Sequence, residues 1–161
     1  MFKKILVPLD GSTLAEAVLP YVEDIAKEDN AIIEVLTVSN VSIPIYAVEA
    51  PIDFDRVVEH ERQMSKLYLD DVSARLTKDG IVVKSLYAEG PVAQEIVNYA
   101  ELTGADLIAM STHGRSGVSR WLLGSVADKV LHSAKVPVLL IRPDGHLPVP
   151  GAPPKATPSE H

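Results

Sequence analysis

The chain predicts an α/β fold, a single open, doubly wound five-stranded parallel sheet with helices on both faces. Three observations lead there. Five β-like runs alternate with helical patterns along the chain. The first, fourth and fifth runs are nearly continuous apolar stretches, as expected of strands covered on both faces. The helical segments between them supply the crossovers that parallel strands need.

The first strand spans residues 3–9 (KKILVPL). Ser12 or Thr13 then serves as an N-cap, and Glu16, three residues after Thr13, suits a capping box. Leu14, Val18, Val22, Ile25 and Ala26 follow at helical spacing. The second strand spans 31–38 (AIIEVLTV). Residues 39–53 form a long loop with prolines at 44 and 51, and loops of this length are often functional. A long helix follows over 54–78. Phe54, Val57, Val58, Met64, Leu67, Val72 and Leu76 fall mostly on one stripe of it, and Asp79-Gly80 ends it. The third strand, 81–88 (IVVKSLYA), alternates more than the others and suits a sheet edge. Pro91 is a favourable first helical residue. Val92, Ile96, Val97 and Ala100 form the buried face of that helix, which stops at Gly104. The fourth strand is 106–111 (DLIAMS). After a loop, Val126, Val130, Leu131 and Ala134 face inward from a last helix, and the fifth strand is 137–141 (PVLLI). The domain therefore spans 1–143. Residues 144–161 carry five prolines and are expected to be a disordered tail. There is no internal repeat.

Composition narrows the function. The chain has 161 residues, 47% of them hydrophobic, which fits one globular domain with a core. No apolar run approaches the roughly 18 residues that span a bilayer. The N-terminal apolar run meets Asp10 too early for a signal-peptide core, so a cytoplasmic protein is expected. The absence of cysteine excludes disulfides, thiolate nucleophiles and cysteine metal sites. A net charge of -7 and a pI near 5.2 argue against a nucleic-acid binder. His60, His132, His146 and His161 have no partner at metal-ligand spacing. Ser116 and Ser119 lack a G-x-S-x-G context, and the adjacent Asp70 and Asp71 point to different sides of a helix. Trp121, the only tryptophan, is expected to pack at a surface of the domain or dimer.

An open sheet binds ligands beyond the C-terminal ends of its strands, where strand order reverses. Three loops lie there: Pro8-Leu9-Asp10-Gly11-Ser12 after the first strand, Val38-Ser39-Asn40 after the second, and STHGRSGVSRWLLGSV, residues 111–126, after the fourth. The last has two readings. It is an ordinary loop with Gly124-Ser125 as an N-cap, or a phosphate seat. Helix N-termini offer unpaired N–H groups and partial positive charge to anions. Gly114 and Gly124 would let the backbone approach such an anion, and Ser125 adds a hydroxyl donor. Arg115 or Arg120 adds charge, and His113 lies within reach of a phosphate. The loop is neither a Walker A motif nor a dinucleotide fingerprint. Asp10 suits a sugar hydroxyl or a base amine, or a turn.

These residues resemble the universal stress protein family, in its nucleotide-binding branch. KKILVPLDGS is similar to that family's opening strand and Pro-x-Asp turn. EGPVAQEIVNYAELTGADLIAMSTHGRSG and GSVADKVLHSAKVPVLLIRP are similar to its third helix, fourth strand and closing elements. The likeness covers residues 1–143. The family's ATP signature is G-x2-G-x9-G-[ST]; Gly114 and Gly124-Ser125 satisfy its later parts, and Ser111 stands at its first glycine. The resemblance implies a Rossmann-like fold of the adenine nucleotide alpha hydrolase type. It implies a small, ATP-binding stress-response protein that acts through a nucleotide-dependent change of its surface. Adenine would lie against Asp10 and the Val38 backbone, with Pro8 and Val7 nearby. Met110 and Ser111 would follow the ribose. Gly114, Arg115, Gly117, Gly124, Ser125 and Val126 would surround the phosphates, with or without Mg²⁺. It also implies a homodimer paired through the last strand, between Pro137 and Ile141, and a protein partner that the sequence does not identify. A slow ATPase and an interaction module without nucleotide are the alternatives.

Overall fold

The computed structural model describes residues 1–40, 54–114 and 123–143. In chain order the elements are β1 (Lys4–Pro8), α1 (Thr13–Glu16), α2 (Leu19–Asp29), β2 (Ile32–Ser39), α3 (Phe54–Lys78), β3 (Val83–Glu89), α4 (Val92–Thr103), β4 (Leu107–Ser111), α5 (Ser125–Ser133) and β5 (Val138–Ile141). Every pairing in the sheet is parallel, and the order is β3-β2-β1-β4-β5. β3 lies at an edge, as its alternation predicts. The expected tail and most of the 39–53 loop lie outside the described residues.

Strand alternation builds two cores. Ile5, Val7, Ile33, Val35, Leu107 and Ala109 point to one face, where Val18 at the N-cap of α2, Val22 of α2, and Leu69, Val72 and Leu76 of α3 cover them. Leu6, Leu36, Ile108 and Met110 point to the other, under Ile96 and Ala100 of α4 and Ala127 and Val130 of α5. The central strands are therefore dry on both sides, which is why β1 and β4 read as unbroken apolar runs. β5 is different. All four of its residues are only partly buried, because it has a neighbour on one side alone.

Glu34 is the exception within β2. It is 2% exposed and faces the second core. Lys4 and Lys84 reach its Oε1 at 3.8 and 4.0 Å from the two flanking strands. Those two lysines supply the opposite charge that a buried carboxylate needs.

Four local expectations are corrected. The helix after β1 is broken at Ala17-Val18 into α1 and α2. Pro20 has no N–H to give, and its ring clashes with the carbonyl four residues back, that of Glu16. The capping box does not form. Ser12 alone caps α1, its Oγ accepting from the Ala15 N–H at 3.1 Å. Glu16 instead accepts from Tyr68 and Arg75 of α3, both at 3.0 Å. Pro91 is the N-cap of α4 rather than its first residue. Finally, α3 buries Leu69, Val72 and Leu76, while Val57, Met64 and Leu67 are exposed; likewise Leu131 of α5 is exposed and Ala127 is buried in its place. The apolar stripe of α3 therefore outruns the sheet it covers.

Candidate functional site

The chain leaves β1 for α1 and α2 on one face and leaves β4 for α5 on the other. These two strands are neighbours, so their C-terminal ends form the point where strand order reverses. A cavity of about 250 Å³ opens there. Ten of the predicted ligand residues line it: Pro8, Asp10, Val38, Met110, Ser111, His113, Gly114, Gly124, Ser125 and Val126; Val7 instead packs in the first core. Arg115 and Gly117 lie outside the described residues, as do Ser116, Ser119, Arg120 and Trp121.

Asp10 forms one wall. Its Oδ1 accepts from the Ser12 N–H at 2.9 Å and from the Ser12 hydroxyl at 2.6 Å. Ser12 in turn caps α1. The aspartate is thus a turn residue and a cavity residue at once. Its other carboxylate oxygen lies against Gly114, where a Cβ would overlap it. The glycine of the loop after β4 is what lets that loop close on the loop after β1.

The exit of β4 forms another wall. The Thr112 N–H donates to Ile141 of β5 at 2.8 Å, and the Gly124 N–H donates to the Thr112 carbonyl at 2.9 Å. This short bond brings the start of α5 back beside the strand end. A Cβ on Gly124 would lie 2.6 Å from the Thr112 carbonyl oxygen. Ser111 is buried, and its Oγ accepts from the His113 N–H at 3.4 Å. His113 Nδ1 pairs with the Thr112 hydroxyl at 3.0 Å. Its Nε2 is buried and has no partner among the described residues.

Of the helices that begin at this cavity, α1 and α5 differ in their caps. α1 is capped by the Ser12 side chain, whereas α5 begins at Gly124, which offers none. The first N–H groups of α5, on Ser125 and Val126, thus open on the cavity without a side-chain cap. Leu9, Ala15, Leu36, Val92, Ile96 and Ala127 complete an apolar floor and side, and Thr112 adds a polar group. The sequence places Val92 and Ile96 on a buried helix face and Leu9 and Leu36 in strands, but does not mark Ala15 or Ala127. Only packing shows that they sit where the core meets the ligand edge.

Behind the cavity, α1 is braced against α3. Glu16 receives the Tyr68 hydroxyl and the Arg75 guanidinium. Burial, and then the Glu16 carboxylate, push the Tyr68 hydroxyl well above the usual phenol range, so it stays protonated as a donor. Among the described residues no cluster of His, Asp or Glu is arranged to hold a metal ion. A Mg²⁺ ion at such a site would take its oxygens mainly from phosphate and water. No described helix is long and apolar enough to cross a membrane.

The model of the universal stress protein family matches residues 1–142. The chain belongs to that family. It is similar to universal stress protein MJ0531 of Methanocaldococcus jannaschii, with 34% identity over 88% of this chain and 83% of the relative. Among solved structures it is similar to the MJ0577 protein of the same organism. That match has a TM-score of 0.78 and 28% identity, and covers 88% of this chain and 96% of the other. An Arabidopsis thaliana protein of the family, solved with AMP bound, shares the fold at a TM-score of 0.63. Its identity is 20%, over 87% of this chain and 91% of that one. Family and fold together account for the five-stranded sheet with helices on both faces.

Proposed function

We propose that this universal stress protein binds an adenine nucleotide, ATP by its loop chemistry, and acts as a regulator whose surface changes with the bound state. One observation carries the reading. At the reversal point of the sheet, the N-terminus of α5, which has no side-chain cap, shares a partly apolar cavity with Asp10. Each part suits a part of the ligand. Leu36, Val38 and Ile96 offer apolar surface to a purine, and Asp10 accepts from an amine or a ribose hydroxyl. Ser125 and the first amides of α5 favour phosphate through hydrogen bonds and the helix dipole. His113 lines the same space. Arg115 and Gly117 belong to the same loop and join the phosphate seat on this reading. A fold that holds AMP in an Arabidopsis protein is compatible with such a ligand.

Denaturing the purified protein and identifying any released nucleotide tests this directly, followed by titration with ATP with and without Mg²⁺. The decisive variant is Ser125→Asp. An acid suits the first turn of a helix, so the fold is expected to persist. Its charge opposes phosphate, and ATP affinity is expected to fall at least tenfold. Wild-type protein that ignores millimolar ATP, or a Ser125→Asp protein that binds as before, would overturn the reading.

A further inference from the structure

The cavity does not end at α5. Ser125, Val126 and Val92 also line a second groove, of about 430 Å³, between α5 and the start of α4. Its α5 wall is Ser125, Lys129 and Ser133. These lie four residues apart, so they form one stripe about 12 Å long, running away from the proposed phosphate seat. The facing wall is Pro91 to Gln94, and Asn40 lies at the end of β2.

The chemistry of this groove is selective. The whole chain carries 22 acidic residues against 15 Lys and Arg. Among the described residues, none of the nine lining the groove is an acid, and Lys129 is the one charged group. Lys129 is exposed and makes no ion pair among the described residues, whereas His132 of α5 pairs with Asp128, and Lys135, past the end of the helix, pairs with Glu101. Asn40 and Gln94 carry carboxamides, which both donate and accept. Pro91, Val92 and Ala93 add apolar surface.

We propose that this groove is a second subsite, joined to the first at the phosphates, for a nucleotide that carries a second nucleoside on its phosphate chain. The inference rests on the nucleotide reading of the first cavity. Lys129 takes the additional phosphate, the apolar wall takes a flat ring, and the carboxamides take polar edges of base or ribose. The groove is larger than the first cavity, so a group of nucleoside size is in proportion.

Calorimetric titration of the full chain with ATP and, separately, with diadenosine tetraphosphate tests it. The dinucleotide is expected to bind at least fivefold tighter than ATP. Lys129→Glu is expected to remove that preference while ATP affinity stays within twofold; Lys129→Gln, which keeps the surface neutral, is expected to remove part of it. Equal affinities in the wild type overturn the subsite while leaving the nucleotide reading standing. So does a preference that survives both variants, or a Lys129→Glu protein that loses ATP equally. Binding of neither ligand brings down the nucleotide reading itself, and the subsite with it.

Discussion

Gly124 shows how one residue type can meet two demands. In the family signature it belongs to the ligand loop, yet in this fold its Cα also packs against the Thr112 carbonyl. A larger residue there meets backbone, which cannot rotate aside. Gly124→Ala is therefore expected to cost about 1–3 kcal/mol of stability, the usual penalty for overpacking, measurable by denaturant unfolding. A Gly124→Val variant consequently makes a poor probe of phosphate access alone, although the loop composition suggests it. Gly114 behaves differently, because its close neighbour is the Asp10 side chain. Gly114→Ala is expected to turn Asp10 away from the cavity, lowering ATP affinity more than stability; paired calorimetry and unfolding would separate the two effects. Asp10 and Gly114 lie far apart in the chain, and no spacing rule relates them. Their contact exists only because β1 and β4 are adjacent.

At the scale of elements, α1 is the hinge between site and scaffold. It is a four-residue helix, begun by the Asp10-Ser12 turn and ended by Pro20. So short a helix has little stability of its own. Tyr68 and Arg75 of α3 hold its last residue, Glu16. Tyr68→Phe is expected to cost about 1–2 kcal/mol, the scale of a lost hydrogen bond to a charged group, with faster hydrogen exchange confined first to α1. Uniform exchange across α2 and α3 would argue against that brace. The short local pattern around Glu16 resembled a capping box, and a partner on another helix took the carboxylate instead. Residue spacing could show that α3 is long and amphipathic. It could not show that the sheet covers only its C-terminal half, leaving Met64 and Leu67 exposed.

For the whole molecule, the open edges matter most. β5 is an edge strand whose odd residues bond to β4: Pro137 accepts from Ile108, and Ile141 accepts from Thr112. Val138 and Leu140 therefore turn their backbone groups to the open side. An apolar edge whose outward N–H groups have no strand partner among the described residues invites pairing with a second copy, in line with the dimer that the family resemblance implies. Val138→Pro removes an outward donor at a strand position that tolerates proline. Sedimentation is expected to show a dimer in the wild type and at least tenfold weaker association in the variant. Identical association in both would place the contact elsewhere.

The five-strand alternation, the parallel class, the edge position of β3 and the helix stops at Gly80 and Gly104 follow from apolar period and backbone preference, which act over a few residues. The same local signals drew attention to the loops after β1, β2 and β4, including Ser111-Thr112-His113-Gly114 and Gly124-Ser125. Strand order, the meeting of Asp10 with Gly114, the apolar floor from Leu36 and Ile96, and the groove along Lys129 were decided by tertiary structure alone. Each needs residues distant in sequence to share one surface. The free energy that brings them together comes from burying both faces of the sheet, a property of the whole fold and of no single segment.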